Sequence, residues 1–340
     1  MTMRWAMIGT GRVNQQMARA MNDTDDVLLH GVLSRDVDTA HNFAAEYQIP
    51  RTYHSLDSLL SDTEVDVVYV ASPNGLHREQ VLAIAQAGKH ILCEKPMAND
   101  IQSCQEMISA CRANGVEIGI AFQYRQHKAH REIRELVSTG KLGNVVFADA
   151  AVHIPPLATP SWYSNPGIAG GGVLPMSGVH RIDLLRYVLG AEVEEVVAFI
   201  DSRLPGKTYE DTVAALLRFD NGTVATVRFA LEARSGGEGI SLHGSAGWAV
   251  ADRTTSQWWG DDGGELSFSN GDTTSNKVFA RDDLYLAQVE EFTAALNGGA
   301  RFSASAVDGL RAAEITAALF ESGRDRKTVR VKRSVVAEHA

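Results

Sequence analysis

Cysteine is scarce in this sequence, and its three cysteines show no pairing pattern. Cys93, Cys104 and Cys111 form neither a Cys-x-x-Cys pair nor a zinc-type spacing. Such thiols exclude a disulfide-stapled secreted scaffold and favour a reducing compartment. The N-terminus has no signal-peptide pattern, and no apolar run reaches the length of a membrane span. We therefore expect a cytoplasmic protein without a membrane association.

Clustered metal ligands and excess positive charge are also lacking. No group of ligand-type residues has metal spacing, so no metal is predicted. The formal net charge of −10 argues against a general nucleic-acid surface but leaves room for a local anion site. No internal repeat is visible. The 340 residues, 44% hydrophobic and 22% charged, predict about two domains with sizeable cores and no disordered composition.

Helix and strand patterns alternate through residues 1–121. After an apolar start that leads into Gly9, the predicted strands are Val27–Leu33, Glu64–Ala71, Ile91–Cys93 and Val116–Ala121. The predicted helices are Asn14–Met21, Leu76–Ala87 and Ile101–Ala113. Strands separated by helices of this length indicate βαβ units. We therefore predict an α/β domain over residues 1–121, with a doubly wound parallel sheet of the Rossmann type.

The pattern changes after Phe122, where strands follow one another with turn signals between them. The predicted strands are Val145–Val152, Val193–Ile200, Thr212–Phe219, Thr223–Phe229 and Ile240–His243. The predicted helices are Met176–Leu189, Leu284–Leu296 and Val307–Phe320. These elements indicate an α+β domain over residues 122–340 with a largely antiparallel sheet.

Three further features of this half complete the prediction. Asp220-Asn221-Gly222 is a strong hairpin signal. Trp258-Trp259 is assigned to an interface or core without chemistry, and residues 260–264 to a polar loop. A sheet face that the domain's own helices leave uncovered favours a homodimer or homotetramer.

The N-terminal strand ends in a partial nucleotide-binding fingerprint. Glycines in this position allow a tight turn and close approach of backbone N–H groups to a pyrophosphate, at the start of a helix. The third fingerprint position, normally Gly or Ala, is Asn14. The predicted phosphate-binding residues are Gly9, Thr10, Gly11, Arg12 and Val13.

The end of the second strand bears on the choice between NAD and NADP. Ser34-Arg35-Asp36 lies about twenty residues past the glycines, where an acidic residue binds a ribose 2′-hydroxyl or an Arg accepts a 2′-phosphate. Ser34 offers a hydroxyl and Arg35 a planar cation suited to phosphate. Asp36 either serves NAD or begins a turn or helix cap. The pattern favours NADP over NAD.

A Glu-Lys pair enters a proline directly after a short apolar strand. In the stretch Lys89–Pro96, Glu94 and Lys95 stand at the carboxyl end of a predicted parallel strand, where open α/β sheets place their ligands. A lysine there can donate to a hydroxyl or take its proton, and the proline restricts the residue before it.

Two further motifs stand beside Gly9-x-Gly11 and Glu94-Lys95-Pro96: Ala71-Ser72-Pro73-Asn74-x-x-His77, and Gly170-Gly171-Gly172 leading to His180-x-x-Asp183. With these four motifs, the chain resembles the glucose–fructose oxidoreductase, inositol dehydrogenase and rhizopine-catabolism (Gfo/Idh/MocA) family over nearly its whole length. Within the family it is similar to NADP-dependent reductases of the 1,5-anhydrofructose type, a similarity that includes Pro155-Pro156.

The resemblance implies a sugar-like ligand in a cleft between a dinucleotide-binding domain, residues 1–121, and a substrate-binding and dimerisation domain, residues 122–340. Family members place the lysine of the Glu-Lys-Pro motif, here Lys95, beside the nicotinamide and the reacting carbon. Many also have an Asp four residues before the His that corresponds to His180, but that position is Met176 here. Methionine neither accepts a proton nor orients an imidazole through a strong hydrogen bond.

Three interpretations of Met176 are open. Either Lys95 and His180 suffice, or Tyr163, His153 or Tyr124 fills the role, or the protein binds its ligand without turning it over.

The motifs and the resemblance together give two groups of site residues. The cofactor group is Gly9, Thr10, Gly11, Arg12, Val13, Ser34, Arg35, Ser72, Pro73, Asn74, His77, Glu94 and Lys95. The substrate group is Lys95, Tyr124, His153, Trp162, Tyr163, Met176, His180 and Asp183, of which Lys95 and His180 are the predicted catalytic residues.

Several of these residues also have structural interpretations. His77 and Asn74 either contact the cofactor or shape the loop after their strand. Asp183 fits helix polarity or support better than catalysis, and Arg125 is either a solvated helix charge or faces the cleft. Two residues have packing as an alternative role, Trp162 and Tyr163.

The predicted function is reversible hydride transfer between a nicotinamide and a carbon bearing a hydroxyl or carbonyl group. A non-catalytic NADP-binding sensor is an alternative, favoured by Met176. A second alternative is a glycoside hydrolase that cycles a tightly held NAD. The predicted partner is a small sugar-like or polyol substrate.

Overall fold

The computed structural model describes residues 2–156, 160–233, 239–254 and 263–335. The chain divides into two compact units, one of residues 1–123 with 283–310, the other of residues 124–282 with 311–340. Among the described residues, no helix has both the length and the apolar character that crossing a membrane requires. Trp258, Trp259 and residues 260–262 of the expected polar loop lie outside the described residues.

Strands and helices alternate in the N-terminal part of the first unit. The strands are β1 (Met3–Ile8), β2 (Val27–Leu33), β3 (Arg51–Tyr53), β4 (Val67–Val70), β5 (His90–Cys93) and β6 (Ile118–Ile120). The helices between them are α1 (Arg12–Asn22), α2 (Val37–Tyr47), α3 (Leu56–Leu60), α4 (His77–Gln86) and α5 (Ile101–Ala113).

The strands of this stretch form one parallel sheet in the order β3-β2-β1-β4-β5-β6. Every residue of β4 is buried, as is typical of a parallel strand covered on both faces. The strand order reverses between β1 and β4, so the carboxyl ends of these strands lie where doubly wound sheets bind their ligands. The predicted Rossmann-type sheet is confirmed.

The sequence patterns did not predict β3, α2 and α3 in this unit. The strand β3 has three residues and α3 has five, which is too short to show a clear periodicity. The helix α1 begins at Arg12, two residues before the predicted start at Asn14.

In the part of the second unit that the structure describes, nine strands form one sheet in the order β14-β13-β12-β11-β7-β10-β9-β8-β15. The strands are β7 (Val145–Ile154), β8 (Val193–Asp201), β9 (Thr212–Phe219), β10 (Val224–Leu231), β11 (Gly239–Gly244), β12 (Trp248–Asp252), β13 (Glu265–Ser269), β14 (Thr274–Val278) and β15 (Val329–Arg330). The helices after residue 123 are α6 (Lys128–Ser138), α7 (Pro166–Ala169), α8 (Val179–Leu189), α9 (Leu284–Leu296) and α10 (Ala306–Asp325), of which α9 and the start of α10 belong to the first unit.

Neighbouring strands of this sheet run antiparallel, except that β7 and β10 pair in parallel. The predicted α+β architecture is therefore confirmed, and β12 to β15 extend it beyond the predicted strands. The predicted hairpin joins β9 to β10, where the Phe219 N–H donates to the Thr223 carbonyl oxygen at 2.9 Å. Gly222 in this turn has a φ of +90°, a conformation that favours glycine.

The sheet of the second unit has one buried and one exposed face. Along β9, Val213, Ala215 and Leu217 are buried in a core that also contains residues of α6 and α8. The intervening side chain of Leu216 points away from this core and is exposed, as is Phe199 on β8. Alternation of this kind is typical of a sheet that its own helices cover on one side.

Residues 283–310 differ from the predicted domain organisation, which placed them in a continuous domain over 122–340. They belong to the first unit, where α9 packs against α1. Val289 and Phe292 of α9 are buried in the same core as Trp5 of β1, and the rings of Trp5 and Phe292 meet edge to face at 5.8 Å. A single boundary near residue 121 therefore does not describe the division of the chain.

Candidate active site

The glycine loop follows β1 and leads directly into α1. Gly9 has a φ of +107°, and a Cβ atom there would lie 2.7 Å from the carbonyl oxygen of Ala71, so the loop requires glycine. Gly11 stands at the N-cap of α1 and places no side chain over the first helical turn. This cradle fits the pyrophosphate of a dinucleotide, because backbone N–H groups and the helix dipole both favour an anion at this point. Of the other predicted phosphate-binding residues, Thr10 lies between the two glycines, and Arg12 and Val13 are the first residues of α1.

Asn14, at the third fingerprint position, is fully buried beneath the glycine loop. Its Nδ2 donates to the carbonyl oxygen of Ile8 at 3.3 Å, which ties α1 to the end of β1. Its Oδ1 faces the loop, 3.1 Å from where a Cβ of Gly9 would lie. The asparagine therefore occupies the space that a smaller residue leaves in the usual fingerprint.

Three consecutive polar residues at the end of β2, Ser34, Arg35 and Asp36, have different surroundings. Asp36 caps α2, because its Oδ1 accepts from the Thr39 N–H at 2.7 Å. Hydrogen bonds from Thr39 hold the pKa of Asp36 below its usual value. Ser34 is half-buried and Arg35 exposed. The helix-cap interpretation of Asp36 is confirmed, and its carboxylate is engaged within the protein.

The loop after β4 is held to the loop after β5 by His77. This ring is fully buried, with Nε2 2.9 Å from the carbonyl oxygen of Ser72 and Nδ1 3.0 Å from that of Pro96. Ser72 also donates from its hydroxyl to Gln80 at 2.7 Å, and Asn74 is buried in the short turn that precedes α4. Pro73 precedes that turn. The position of His77 supports its loop-shaping interpretation.

The Glu-Lys-Pro motif lies at the carboxyl end of β5. Glu94 is buried, and its Oε1 accepts from the Tyr69 hydroxyl at 2.7 Å while Oε2 accepts from the Lys95 N–H at 3.2 Å. Burial raises the pKa of Glu94, and the neighbouring Lys95 ammonium opposes that rise. Glu94 therefore anchors the backbone of Lys95, whose own side chain is half-buried. The lysine sits on a loop fixed by two neighbouring strands and by His77.

In the second unit, His180 lies one residue inside α8. The segment Leu174–Gly178 forms a π-helical turn that runs into this helix, and Met176 lies within it, half-buried against the core of the unit. The His180 ring meets the edge of the Tyr124 ring, with centroids 4.9 Å apart. The guanidinium carbon of Arg181 lies 5.0 Å from the Tyr124 ring centroid. The structure thus brings Tyr124 and His180 together.

Asp183 takes part in a buried ion pair on the same helix. Arg125 donates from Nε to Oδ2 at 2.8 Å and from a second nitrogen to Oδ1, and Arg186 lies 3.5 Å from Oδ1. Arg125 and Asp183 are both almost fully buried. The interpretation of Arg125 as a solvated helix charge is therefore wrong, and the Asp183 carboxylate is engaged in supporting α8.

A separate group of aromatic residues precedes the triple-glycine segment. The rings of Trp162 and Tyr163 stack with centroids 4.0 Å apart, in a short 3₁₀ turn. Tyr209 meets Tyr163 edge to face at 6.5 Å. Tyr209 was not predicted, because it is distant in sequence and belongs to none of the motifs. His153 is half-buried on β7.

The first unit also brings together His30, Asp62 and Glu64, three residues that offer ligand atoms within 4.8 Å of one another. Sequence spacing did not predict this group. Arg51 lies 3.3 Å from an Asp62 oxygen and 3.0 Å from a Glu64 oxygen, and Tyr53 donates to Asp62 at 2.8 Å. Because these partners already balance the carboxylates, the group is an ion-pair network of the sheet.

Comparison with known proteins agrees with this geometry. The family model described as "Oxidoreductase family, NAD-binding Rossmann fold" matches residues 3–122, and the GFO/IDH/MocA C-terminal domain matches residues 130–250. The 1,5-anhydro-D-fructose reductase of Ensifer adhaerens is 32% identical over 311 residues, which are 90% of this chain and 92% of that protein. The chain belongs to the Gfo/Idh/MocA oxidoreductase family.

Two further members show the breadth of this family. The myo-inositol 2-dehydrogenase of Thermotoga maritima is 27% identical over 97% of this chain and 99% of its own length. The aldose–aldose oxidoreductase of Caulobacter crescentus, solved in complex with glycerol, superimposes with a TM-score of 0.88 at 26% identity and covers 97% of this chain and 100% of its own. This Gfo/Idh/MocA protein is therefore an oxidoreductase with an NAD-binding Rossmann fold.

Proposed function

We propose that the protein is an NADP(H)-dependent oxidoreductase that reversibly transfers hydride between the nicotinamide and a carbinol or carbonyl carbon of a sugar or polyol. The observation that carries this proposal is the position of Lys95, on a loop at the carboxyl end of β5 that Glu94 and His77 hold from both sides. The substrates named for the reductase, dehydrogenase and aldose relatives support a sugar or polyol.

The residues of the chain supply proton transfer and electrostatic stabilisation. When bound, the nicotinamide dinucleotide supplies the hydride chemistry. In the reductive direction, Lys95 and His180 hydrogen-bond the carbonyl oxygen as negative charge develops there, and one of them delivers a proton. Of the three interpretations of Met176, we favour the one in which Lys95 and His180 suffice. Tyr124, which contacts His180, is the best-placed alternative donor within the second unit.

The remaining substrate-group residues divide by their surroundings. Trp162 and Tyr163 present a stacked aromatic pair, a surface suited to the apolar face of a sugar ring. His153 and Met176 are half-buried and are proposed to shape the same pocket wall. Asp183 is proposed to align α8 through Arg125 and to make no substrate contact.

The NADP preference is proposed from the end of β2. Because Asp36 is engaged as the cap of α2, it is poorly placed to bind a ribose 2′-hydroxyl. Ser34 and the exposed Arg35 remain to receive a 2′-phosphate. Cofactor residues on the neighbouring strand ends are proposed to contact the nicotinamide ribose, chiefly through the Ser72–Asn74 backbone.

The test is a fluorescence titration with NADPH and NADH separately, followed by a panel of keto-sugars that includes 1,5-anhydro-D-fructose. Tighter NADPH binding and oxidation on sugar addition support the proposal, and the Arg35→Ala variant should then lose the NADPH preference. Tight binding without oxidation across the panel would favour the sensor alternative. Retention of the nucleotide through purification, with glycoside cleavage but no net oxidation, would favour the redox-cycling hydrolase.

We also propose that the protein forms a homodimer or homotetramer through the exposed sheet face, in a cytoplasmic setting that keeps its three buried cysteines reduced. Phe199 is 76% exposed and Leu216 is 45% exposed on neighbouring strands of that face. Sedimentation velocity of the wild type and of Phe199→Glu tests this, because a charge in the centre of a buried interface should dissociate it.

A further inference from the structure

A buried carboxylate that none of the sequence motifs includes meets the triple-glycine segment of the second unit. The Oε2 atom of Glu210 accepts from the Gly172 N–H at 2.7 Å, and Oε1 accepts from the Leu174 N–H at 3.0 Å. The backbone carbonyl of Glu210 accepts from the Val173 N–H between them at 3.0 Å. Three consecutive N–H groups thus bind one residue that lies more than thirty positions later in the chain.

The glycines explain why this contact can form. A Cβ atom on Gly172 would lie 1.9 Å from the Glu210 carbonyl oxygen, so any larger residue would prevent the approach. Gly171 has a φ of +147°, which also favours glycine. Three consecutive glycines have great conformational freedom, so they cannot by themselves fix the direction of the helix that follows. Glu210 supplies that constraint.

The segment that Glu210 holds runs directly into the candidate site. Leu174 begins the π-helical turn that contains Met176 and continues into α8, and His180 lies six residues after Leu174. At 1.5 Å per residue, His180 is roughly 9 Å along the helix from the constraint. On the other side of His180, Asp183 and Arg125 hold α8 by a buried ion pair. His180 therefore lies between two fixed points.

We propose that Glu210 is a positioning residue for His180, because it fixes the start of the helical segment that carries Met176 and His180. This inference rests on the proposed function only where it concerns turnover. Glu210 is buried, which raises the pKa of its carboxyl, while the N–H groups of Leu174 and Gly172 oppose that rise. The two N–H bonds use both carboxylate oxygens, so Gln cannot replace both acceptors.

The experiment compares Glu210→Gln with Asp211→Asn in the full-length protein. Asp211 is the control because it is the neighbouring residue, is buried, and also uses both carboxylate oxygens: Oδ2 accepts from the N–H groups of Arg203 at 2.6 Å and Leu204 at 2.7 Å, and Oδ1 accepts from the Thr212 hydroxyl at 2.8 Å, so Asn again removes one acceptor. These bonds hold the start of the connection between β8 and β9, on which Glu210 also lies, and do not involve the Gly172–Leu174 segment. Both substitutions should lower the unfolding temperature, which matches the variants for general destabilisation.

Three readouts distinguish positioning from stability alone. Hydrogen exchange at Gly172, Val173 and Leu174 should accelerate in Glu210→Gln and stay unchanged in Asp211→Asn. The imidazole NMR signal of His180, assigned with a His180→Asn variant, should shift in Glu210→Gln alone. The kcat of Glu210→Gln should fall between about ten- and a hundredfold while the KM for the nucleotide changes little.

Either of two results would overturn the inference. One is that neither the His180 signal nor the kcat changes in Glu210→Gln. The other is that Asp211→Asn, at the same loss of stability, changes the His180 signal and the kcat as much as Glu210→Gln does. The NMR and exchange measurements need no substrate. If the wild type oxidises or reduces no sugar while the His180 signal still responds to Glu210→Gln, the proposed function fails and the positioning role stands.

Discussion

Lys95 and His180 are supported by different kinds of contact. The support of Lys95 comes from its sequence neighbour Glu94, from Tyr69 and from His77, all within one run of βαβ structure. The support of His180 comes from Arg125, more than fifty positions earlier, and from Glu210, thirty positions later. In both places an acid of a sequence motif, Glu94 or Asp183, is engaged in holding the structure around the residue for which we propose a catalytic role.

The largest expected effect comes from replacing Lys95, the proposed catalytic residue, while the contacts that hold its loop stay in place. Lys95→Ala should lower kcat by about 10²–10⁴-fold, because a positioned proton donor contributes that much to turnover. Nucleotide binding should persist, since Glu94 and His77 still hold the loop. Steady-state kinetics with fluorescence titration measures both quantities. Unimpaired turnover would show that Lys95 has no catalytic role.

The next prediction concerns the buried ion pair of Arg125 and Asp183, which supports α8. Asp183→Asn should lower the free energy of unfolding by about 3–5 kcal/mol, because Arg125 then remains buried without its carboxylate. Urea denaturation measures this. Asp201→Asn, which removes an exposed pair with Arg203 in the same unit, is the matched control and should leave the midpoint nearly unchanged. Equal losses in the two variants would contradict the special role of the buried pair.

A smaller effect is expected on the side of Lys95. Tyr69→Phe removes one hydrogen bond to Glu94 and should cost about 1.5–3 kcal/mol of stability, less than Asp183→Asn. Turnover should fall only moderately, since the second Glu94 oxygen still accepts from the Lys95 N–H. If Tyr69→Phe were more damaging than Asp183→Asn in denaturation, the contrast between the two kinds of support would be wrong.

The smallest effect appears on acidification. His130 is buried, with Nδ1 2.7 Å from the Tyr124 carbonyl oxygen and Nε2 2.8 Å from the Thr254 hydroxyl, and burial lowers its pKa well below 6.5. Below pH 6.5, His130 binds a proton in the unfolded chain but stays neutral in the folded chain until its lowered pKa is reached. Stability should therefore decline as the pH falls from 6.5 towards the lowered folded-state pKa, by up to about 1.4 kcal/mol per pH unit for one proton.

Denaturation curves between pH 7.5 and 5 check this sign. His130→Asn, which cannot titrate, should flatten the decline. Burial also lowers the pKa of His77, but hydrogen bonds to the carbonyl groups of Ser72 and Pro96 raise it. His77→Asn should therefore change the dependence of stability on pH less than His130→Asn does. A steeper decline in His130→Asn than in the wild type would contradict the assignment.

Local patterns predicted the parallel sheet, the hairpin at Asp220–Gly222 and the loop that carries Lys95, because these depend on residues close together in sequence. The role of Glu210 could not be predicted, since its partners are the N–H groups of a distant glycine segment and backbone atoms leave no mark in a sequence pattern. The sequence could not decide between the two interpretations of Arg125, because its partner Asp183 is also distant in sequence and the contact is visible only in the folded second unit.

The placement of α9 in the first unit has a consequence for synthesis on the ribosome. Val289 and Phe292 complete the core around Trp5, yet they are made only after residues 124–282. At about 5–20 residues per second, the nascent N-terminal segment waits roughly 10–30 s for its last helix. During that interval the apolar surface that α9 will cover is available to chaperones, and strands β7 to β14 of the second unit are translated before the first unit is finished.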